Sequence, residues 1–309
     1  MQSKKIISQE TSPTPNENNI AFEIKDITIV LNKNTPVQYT IIENLSYKFE
    51  KGKIYYICGP AGCGKTLLIT HFNGLMIPEK GEIFINNEKM IVKKGKIKNV
   101  KKVRKQIGMV FQFAEYQLFK STIEKDIMFG PLNFGIKKAR AKELAAEKLK
   151  LVGMDEVFLK RNPFGLSGGQ KRRVAIAGVL ASDPDILVFD EPSAGLDPNG
   201  EKEILGIITK LKEMGKTIIV VTHVLDHALE VADKLLVINE KKIAKEGDVY
   251  DIFLDTELTK NTQLSTPKII KIIFELMKKD KKYNKLYDLK PRTVKELVTY
   301  IKEINYEEK

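Results

Sequence analysis

The sequence predicts an α/β protein whose sheet is mostly parallel and is connected by crossover helices. Three short apolar runs, at 54–58, 186–189 and 217–221, have the length and composition of buried strands. Residues 200–214 separate the last two runs and show helical spacing. The glycine-rich stretch 59–66 follows the first run directly and precedes a helix, which is the strand–loop–helix order of nucleotide-binding folds.

In the first half of the chain, periodicity and stop signals predict the remaining elements. Residues 22–31 alternate imperfectly and predict a strand. From Lys65 onward, Leu68, Phe72 and Leu75 form one apolar helical face, and Pro78 stops that helix. The alternation at 83–85 then predicts another strand.

In the second half, helical spacing dominates the middle of the chain and its C-terminal end. Residues 137–154 repeat alanine and leucine at helical spacing, and Ser167 is placed to cap a helix that reaches Ala181. The run 235–238 predicts a further strand. The composition then shifts to lysine and isoleucine, with helices predicted at 267–279 and 293–304.

Length and composition argue against a membrane-spanning helix, a secreted protein, and a fold held by disulfides or by a four-thiolate zinc site. The 309 residues suffice for one large domain or two modest ones, and an apolar share of 42% provides a core. No stretch of the sequence approaches 18 unbroken apolar residues, and the first twenty residues do not resemble a secretory signal. Only two cysteines occur, which is too few for a disulfide framework or a four-thiolate zinc site.

The positive charge leaves three interpretations open. Lysine and arginine number 52 and the acids 40, so the net charge is +12, and residues 89–105 contain no acid. Basic surfaces bind nucleic acid, and they also bind anionic lipid. A genome-wide bias toward lysine, isoleucine and asparagine explains the same charge without any partner. The basic run itself is expected to be a solvated hairpin or loop face.

The strongest motif is the octapeptide at 59–66, which fits the pattern G-x-x-x-x-G-K-[ST]. Glycines let backbone N–H groups converge on phosphate oxygens, and the N-terminus of the next helix adds positive potential. Lys65 is predicted to reach the β- and γ-phosphates of a nucleotide, and Thr66 to hold Mg²⁺. The predicted nucleotide-binding residues of this phosphate loop are Gly59, Pro60, Ala61, Gly62, Cys63, Gly64, Lys65 and Thr66.

Two acids follow the predicted strand 186–189. Ligands of α/β sheets bind at the carboxyl ends of the strands. Asp190 is therefore predicted to hold Mg²⁺, and Glu191 to polarise the water that attacks the γ-phosphate. By itself, the pair is equally well explained as an acidic turn before Pro192.

A pentapeptide, Leu166-Ser167-Gly168-Gly169-Gln170, decides the class. Its serine caps the next helix, and its two glycines let the N-terminus of that helix approach a phosphate closely. With this segment the sequence resembles the signature of ATP-binding-cassette ATPases. The other motifs of that family occur in the expected order, with Gln112 at the Q-loop position, Asp197 in the loop 193–197, and His223 after a predicted strand.

The resemblance implies a fold and a working unit. The fold is a P-loop NTPase with a RecA-like, mostly parallel sheet, an antiparallel β portion, a helical subdomain and here a small helical C-terminal appendage. Two cassettes pair head to tail, so that ATP lies between the phosphate loop of one and the signature of the other. The cofactors implied are ATP and Mg²⁺. The implied site residues are Glu191 and His223 for catalysis, Thr66, Gln112 and Asp190 for the metal, and Ser167, Gly168, Gly169, Gln170 and Asp197 across the interface.

Four longer sequence segments resemble one particular group of ATPases within this family. Residues 71–75, 110–119, 126–133 and 172–178 closely resemble ATPases of energy-coupling-factor transporters, which import vitamins and transition-metal ions. This resemblance implies a peripheral ATPase at the cytoplasmic face of the cell membrane. The implied partners are a second homologous ATPase, a transmembrane scaffold and a substrate-binding membrane subunit, with no specific nucleic acid. Residues 115–119 look more like the second of the two paired ATPases, which favours a heterodimer over a homodimer.

Three positions depart from the family pattern. Ala114 stands where proline is common, which is expected to loosen the Q-loop. Cys63 stands where serine is usual, and a thiol beside a helix N-terminus is a candidate for oxidation. Leu31 occupies the place of the aromatic residue that stacks on adenine, and Tyr39 is the candidate substitute.

The predicted domain organisation has three parts. A disordered polar tail occupies residues 1–20, the ATPase domain 21–250, and a helical appendage 251–309. The helical subdomain lies near 113–183 within the ATPase domain. The alternative function is a soluble ATPase of the same family that associates with nucleic acid through residues 89–105.

Overall fold

The computed structural model describes residues 19–306 and confirms the α/β class. The tail predicted at 1–20 lies outside the described residues except for its last two, and Ile20 already begins the first strand. The strands are β1 Ile20–Leu31, β2 Tyr39–Glu50, β3 Ile54–Cys58, β4 Lys80–Ile85, β5 Glu88–Lys89, β6 Val92–Lys93, β7 Lys96–Ile97, β8 Ile107–Val110, β9 Ile186–Asp190, β10 Thr217–Val221, β11 Lys234–Asn239 and β12 Lys242–Gly247. The helices are α1 Lys65–Phe72, α2 Val100–Gln106, α3 Ile123–Asn133, α4 Lys138–Leu151, α5 Gly168–Leu180, α6 Pro198–Glu213, α7 Leu225–Val231, α8 Val249–Leu254, α9 Thr256–Thr262, α10 Lys268–Lys279, α11 Lys285–Leu289 and α12 Val294–Tyr306.

The main sheet has six strands in the order β12-β11-β3-β10-β9-β8. The pairings among β11, β3, β10, β9 and β8 are parallel, and only β12 runs antiparallel. Every residue of β3, β9 and β10 is buried, because helices cover one face of the sheet and a second sheet covers the other. Burial on both faces explains why these strands are continuous apolar runs in the sequence.

The second sheet is the expected antiparallel portion, with the order β2-β1-β4-β5. Along β3 the side chains alternate between the two cores, since Tyr56 faces the helices and Tyr55 faces this second sheet. Phe22 of β1 and Phe49 of β2 pack with Phe72 of α1, with ring centroids 4.6–6.0 Å apart. The second sheet is thereby fixed against α1, the helix that follows the phosphate loop.

Helices α3, α4 and α5 pack on one another and form the helical subdomain predicted from the resemblance. Ile127, Leu149 and Val174 are fully buried where the three helices meet. At the start of α5 the predicted cap is present as a capping box, in which Ser167 and Gln170 bond to each other's backbone N–H. The subdomain therefore presents the signature at an ordered helix N-terminus.

The C-terminal helices pack against the core of the main sheet. Ile270, Ile273 and Leu286 are buried in the same core cluster as β3 and β10. The guanidinium of Arg292 donates hydrogen bonds to the backbone oxygens of Leu229 and Ala232, at 3.2 and 2.8 Å, just at the end of α7. Helix α8 spans residue 250, so the predicted boundary between domain and appendage falls inside a helix.

The basic run 89–105 is the solvated hairpin that its composition predicts. It contains the β6–β7 hairpin and helix α2, and most of its residues are exposed. Lys89 and Lys102 form ion pairs with Glu82 and Glu88. In the part of the chain that the structure describes, no helix has both the length and the apolar character needed to cross a bilayer.

Candidate functional site

The parallel register brings the predicted motifs together along one edge of the main sheet. We call the line formed by the carboxyl ends of β3, β8, β9 and β10 the carboxyl edge. Val221, the last residue of β10, lies beside Ile57 of β3 and beside Asp190 of β9. Val110 of β8 lies beside Phe189 of β9. The phosphate loop, the acid pair, His223 and Gln112 therefore all leave the sheet at the carboxyl edge.

Two glycines of the phosphate loop cannot be replaced without a shift of their surroundings. Gly59 has φ +149°, and a Cβ there would lie 2.1 Å from the backbone oxygen of Ile238. Gly64 has φ +97°, and a Cβ there would lie 2.2 Å from Cγ2 of Ile41 on β2. The Lys65 ammonium donates to the backbone oxygens of Gly59 and Pro60, at 2.8 and 2.9 Å. The side chain of Lys65 thus folds back onto the loop that precedes it. This arrangement lies at the start of α1, and a helix N-terminus is suited to bind phosphate.

Thr66 and Asp190 meet although 124 positions separate them in the sequence. The Thr66 hydroxyl donates to Oδ1 of Asp190 at 3.2 Å. Asp190 is buried, and its burial, together with the neighbouring charge of Glu191, raises the pKa of its carboxyl above the usual value. In residues 19–306 no three side chains of His, Cys, Asp or Glu converge on one point. One hydroxyl and one carboxylate fit Mg²⁺, which prefers few protein oxygens together with water and phosphate oxygens.

Glu191 is held in an unusual backbone conformation at the end of β9. Its φ is +45°, a region that bulky residues rarely occupy, and its N–H donates to the backbone oxygen of Val221 at 2.8 Å. Thr222 donates its hydroxyl to Oε2 at 2.9 Å, and Nδ1 of His223 lies 2.8 Å from Oε1. The side chain of Glu191 is only 14% exposed, whereas that of His223 is 73% exposed. The two residues predicted as catalytic are therefore in direct contact.

Thr222 is a site residue that the sequence analysis did not single out. It is buried, and its oxygen also accepts a hydrogen bond from the N–H of Val224 at 3.0 Å. Its hydroxyl orients the carboxylate of Glu191 from the side opposite His223. A polar residue directly after the apolar run 217–221 is the signal by which it could have been found.

The signature and Asp197 lie on surfaces open to solvent. Ser167 and Gly168 are exposed, and an added Cβ at Gly168 would meet no atom within 4 Å. Asp197 is exposed and caps α6, since its Oδ1 accepts from the N–H of Gly200 at 2.8 Å. An accessible helix N-terminus with a glycine at its first turn is suited to bind a phosphate presented by another molecule.

Gln112 begins an exposed loop after β8. Phe113 has φ +56° and precedes the 3-10 turn Ala114–Gln117. Phe113, Tyr116 and Phe119 are 41%, 83% and 55% exposed and form an aromatic surface. Beside it a groove opens between β8, α3 and α5, with an apolar lining that includes Phe111, Phe119 and Phe129.

Two buried charges fasten this loop to the helical subdomain. The carboxylate of Asp126 on α3 accepts the backbone N–H groups of Phe119 and Lys120, at 3.2 and 3.1 Å. Glu115 forms a bidentate ion pair with Arg172 of α5, at 2.6 and 2.9 Å. The hydrogen bonds from Arg172 hold the pKa of Glu115 below its usual value, although burial acts in the opposite direction. These contacts order the turn that Ala114 was expected to loosen.

The remaining departures from the family pattern also lie near the phosphate loop. Leu31 and Tyr39 are paired across β1 and β2, and Tyr39 is 51% exposed. Tyr39 lies two residues before Ile41, whose Cγ2 would lie 2.2 Å from a Cβ added at Gly64, and the register of β2 against β1 shifts between Thr40 and Ile42. Cys63 and Cys58 are free thiols, with Sγ of Cys63 at 3.7 Å from the Lys65 ammonium. Burial raises the pKa of the Cys58 thiol to about 12.

Comparison with known proteins places these features in a family. The profile of a family described as ABC transporter matches residues 42–194. The chain is 45% identical over 280 residues to the energy-coupling factor transporter ATP-binding protein EcfA2 of Mycoplasma pneumoniae, covering 91% of this chain and 92% of that protein. It is 44% identical to the protein of the same name from Mycoplasmoides gallisepticum, over 96% of both chains.

Solved structures give the same result. The structure of cbiO1 from Clostridium perfringens, described as part of the ABC transporter complex cbiONQ, is 31% identical with a TM-score of 0.67, over 81% of this chain and 97% of that one. A dimeric ATP-binding cassette in a post-hydrolysis state, bound to ADP and Pi, is 28% identical with a TM-score of 0.64, over 74% of this chain and 98% of that one.

Proposed function

The chain belongs to the ATP-binding-cassette family and, within it, to the energy-coupling factor transporter ATP-binding proteins, and we propose that it binds and hydrolyses ATP to power the import of a vitamin or transition-metal ion through a membrane complex. The observation that carries the proposal is the convergence of Lys65, Asp190 and Glu191 at the carboxyl edge of one sheet. The relatives support transport over the soluble nucleic-acid-associated ATPase, because their names are those of transporter subunits.

The chain's residues divide the work at the triphosphate. The N–H groups of the phosphate loop bind its oxygens, and Lys65 exchanges its two carbonyl partners for the β- and γ-phosphates. Glu191 orients a water molecule and accepts its proton as the oxygen approaches the γ-phosphate. His223, which is exposed beside Glu191, contacts the γ-phosphate. Tyr39 stacks on adenine from the exposed side of β2.

Thr66 and Asp190 would hold Mg²⁺, with Gln112 as a further candidate contact from the end of β8. When bound, the metal ion neutralises charge that develops on the phosphate oxygens. Burial raises the pKa of Asp190, and the hydrogen bond from Thr66 acts in the opposite direction because it favours the ionised carboxylate.

The working unit contains a second ATPase of the same family. Ser167, Gly168, Gly169 and Gln170 are presented to the nucleotide of the partner, and Asp197 lies across the same interface. Closure excludes water and adds hydrogen-bond donors to the triphosphate. We assign the pair as a heterodimer at the cytoplasmic face of the membrane. The aromatic surface of Phe113, Tyr116 and Phe119 docks on the transmembrane scaffold, which also carries the substrate-binding membrane subunit.

The replacement Glu191→Gln tests this function. In a complex purified in detergent with its companion subunits, the variant should bind ATP as the wild type does and should lose at least about a hundredfold in kcat, the scale of general base catalysis. Glu143→Gln is the control, since it changes an exposed glutamate of α4 in the same way. Hydrolysis by Glu191→Gln at the wild-type rate would show that Glu191 is not the base.

The proteins that co-purify with this chain distinguish the two candidate functions. Co-purification with small multi-span membrane proteins, unaffected by nuclease, is the result expected for a transporter subunit. Stimulation of hydrolysis by oligonucleotides, with binding that weakens steeply as salt increases, would support the nucleic-acid-associated ATPase instead.

A further inference from the structure

Arg172 is a buried charge at the point where three functional segments meet. It lies on α5, four positions after the first residue of that helix, and is only 2% exposed. Its Nε and Nη2 donate to the two carboxylate oxygens of Glu115, at 2.9 and 2.6 Å. Its Nη1 donates to the backbone oxygens of Pro192 and Ala194, at 3.1 and 2.6 Å. The guanidinium also lies 5.8 Å from the ring centroid of Phe113.

This set of contacts requires arginine. Four hydrogen bonds leave the guanidinium in two different directions, which the planar fork of arginine provides and the single ammonium of lysine does not. A buried charge is tolerated only when its donors are satisfied, so the loss of these partners would not be compensated by water. In this geometry the guanidinium holds the turn 114–117 and the loop 192–197 against α5 at the same time.

The three segments connect the surface proposed to dock on the scaffold with the residues proposed to act on ATP. Glu115 belongs to the turn Ala114–Gln117. The next residue in this turn, Tyr116, is the most exposed residue of the aromatic surface. Pro192 and Ala194 belong to the loop that starts at Glu191 and ends at Asp197. Helix α5 carries the signature at its N-terminus. One side chain therefore contacts the exposed turn and the loop 192–197, and it lies on the helix that carries the signature.

We propose that Arg172 is a positioning residue that couples the scaffold-docking turn to the loop 192–197 and to the signature, so that docking on the scaffold sets the geometry in which Glu191 acts. This inference rests on the proposed function, because it assumes a scaffold that docks at this turn. Within residues 19–306, the hydrogen-bond partners of Arg172 lie outside the phosphate loop, so its proposed role is distinct from nucleotide binding.

The test is Arg172→Lys in the complex purified with its scaffold and companion ATPase, assayed for ATP hydrolysis. A misplacement of about 1 Å at a catalytic centre lowers the rate about a hundredfold, so we expect kcat of the complex to fall about ten- to a hundredfold. The KM for ATP, and the Kd for ATP of the isolated chain, should stay within about twofold, because the phosphate loop is intact. A role in folding alone would move Kd and KM together with kcat, and that result would overturn the proposal.

Three further variants make the test decisive. Glu115→Gln removes the ion pair but leaves the two backbone contacts of Arg172, so kcat should fall less, and the double variant should be no slower than Arg172→Lys alone. Arg140→Lys is the control, because Arg140 of α4 pairs with Glu143 and Glu147 at 51% exposure, and its activity should equal that of the wild type.

The outcomes distinguish the inference from the function on which it rests. The first comparison is the rate of ATP hydrolysis by the wild-type ATPases with and without the scaffold. Equal rates would refute the proposed function and the coupling together. A wild-type complex with scaffold-dependent hydrolysis, in which Arg172→Lys retains that dependence within about twofold, would refute the coupling alone.

Discussion

Asp126 provides a quantitative test of the structure, since its carboxylate joins α3 to the loop at Phe119 and Lys120. In Asp126→Ala, both backbone N–H groups lose their acceptor. Each lost hydrogen bond to a charged group costs about 1.5–3 kcal/mol, and partial access of water to this loop lowers the sum to about 2–4 kcal/mol. At about 2–3 °C per kcal/mol for a chain of this size, Tm should fall by about 4–12 °C. Asp126→Asn keeps one acceptor and should lose about half as much.

Thermal unfolding followed by circular dichroism measures this difference, with Asp155→Ala as the control. Asp155 is exposed and accepts a single N–H, that of Val157, at 2.8 Å, so its replacement should cost less than about 1 kcal/mol. If Tm of Asp126→Ala were no lower than that of Asp155→Ala, the two contacts of Asp126 would not contribute as the structure indicates.

The pH dependence of the same comparison has a definite sign. Burial raises the pKa of Asp126 above the usual value of 3.8, and its two backbone hydrogen bonds offset this only in part. The folded state therefore binds the proton more tightly than the unfolded state. Relative to Asp126→Asn, the stability of the wild type should be greatest below pH 3.8 and should decrease as pH rises through the raised pKa. An increase over that window would contradict the assigned direction.

Three further predictions concern single side chains near the nucleotide. Thr222→Val removes the hydroxyl that orients Glu191, so kcat should fall about tenfold with unchanged affinity for ATP; an unchanged kcat would remove Thr222 from the site. Because the pKa of buried Cys58 is raised to about 12, a thiol reagent at pH 8 should modify Cys63 alone until the chain is unfolded, and two fast thiols would disprove this. Tyr39→Ala should weaken ATP binding by about 1–3 kcal/mol, the value of one stacked base, and an unaltered Kd would exclude Tyr39 as the adenine contact.

Much of the fold is readable from the sequence where an element has one environment along its whole length. The strand predicted at 54–58 has those bounds in the structure, and the strands predicted at 186–189 and 217–221 agree to within one residue. Each is buried on both faces, so apolar character is continuous and the ends are sharp. The helix predicted from Ser167 begins as expected because its cap is formed by Ser167 and Gln170, residues three positions apart.

The elements that the sequence analysis missed are irregular for identifiable reasons. Helix α3 contains Gly130 and Pro131, which interrupt the helical pattern, although Thr122 caps its start. Strand β2 pairs with β1 through several register shifts, so its inward residues do not alternate regularly. The helix predicted to extend to Leu75 ends at Phe72, because Gly74 adopts φ +68° and closes the turn.

Sequence motifs are enough to locate the phosphate loop, the acid pair and the signature, because each is a short segment whose conformation and chemistry depend on neighbours a few positions away. The folded chain is needed to show which distant groups meet, such as Thr222 with Glu191 across 31 positions and Arg172 with Glu115 across 57. Hydrophobic periodicity predicts which face of a helix or strand is buried. It does not predict which polar side chain of another segment lies against that face. The pairing of buried charges is fixed by sheet order and helix packing, and these arise from contacts between segments far apart in the chain.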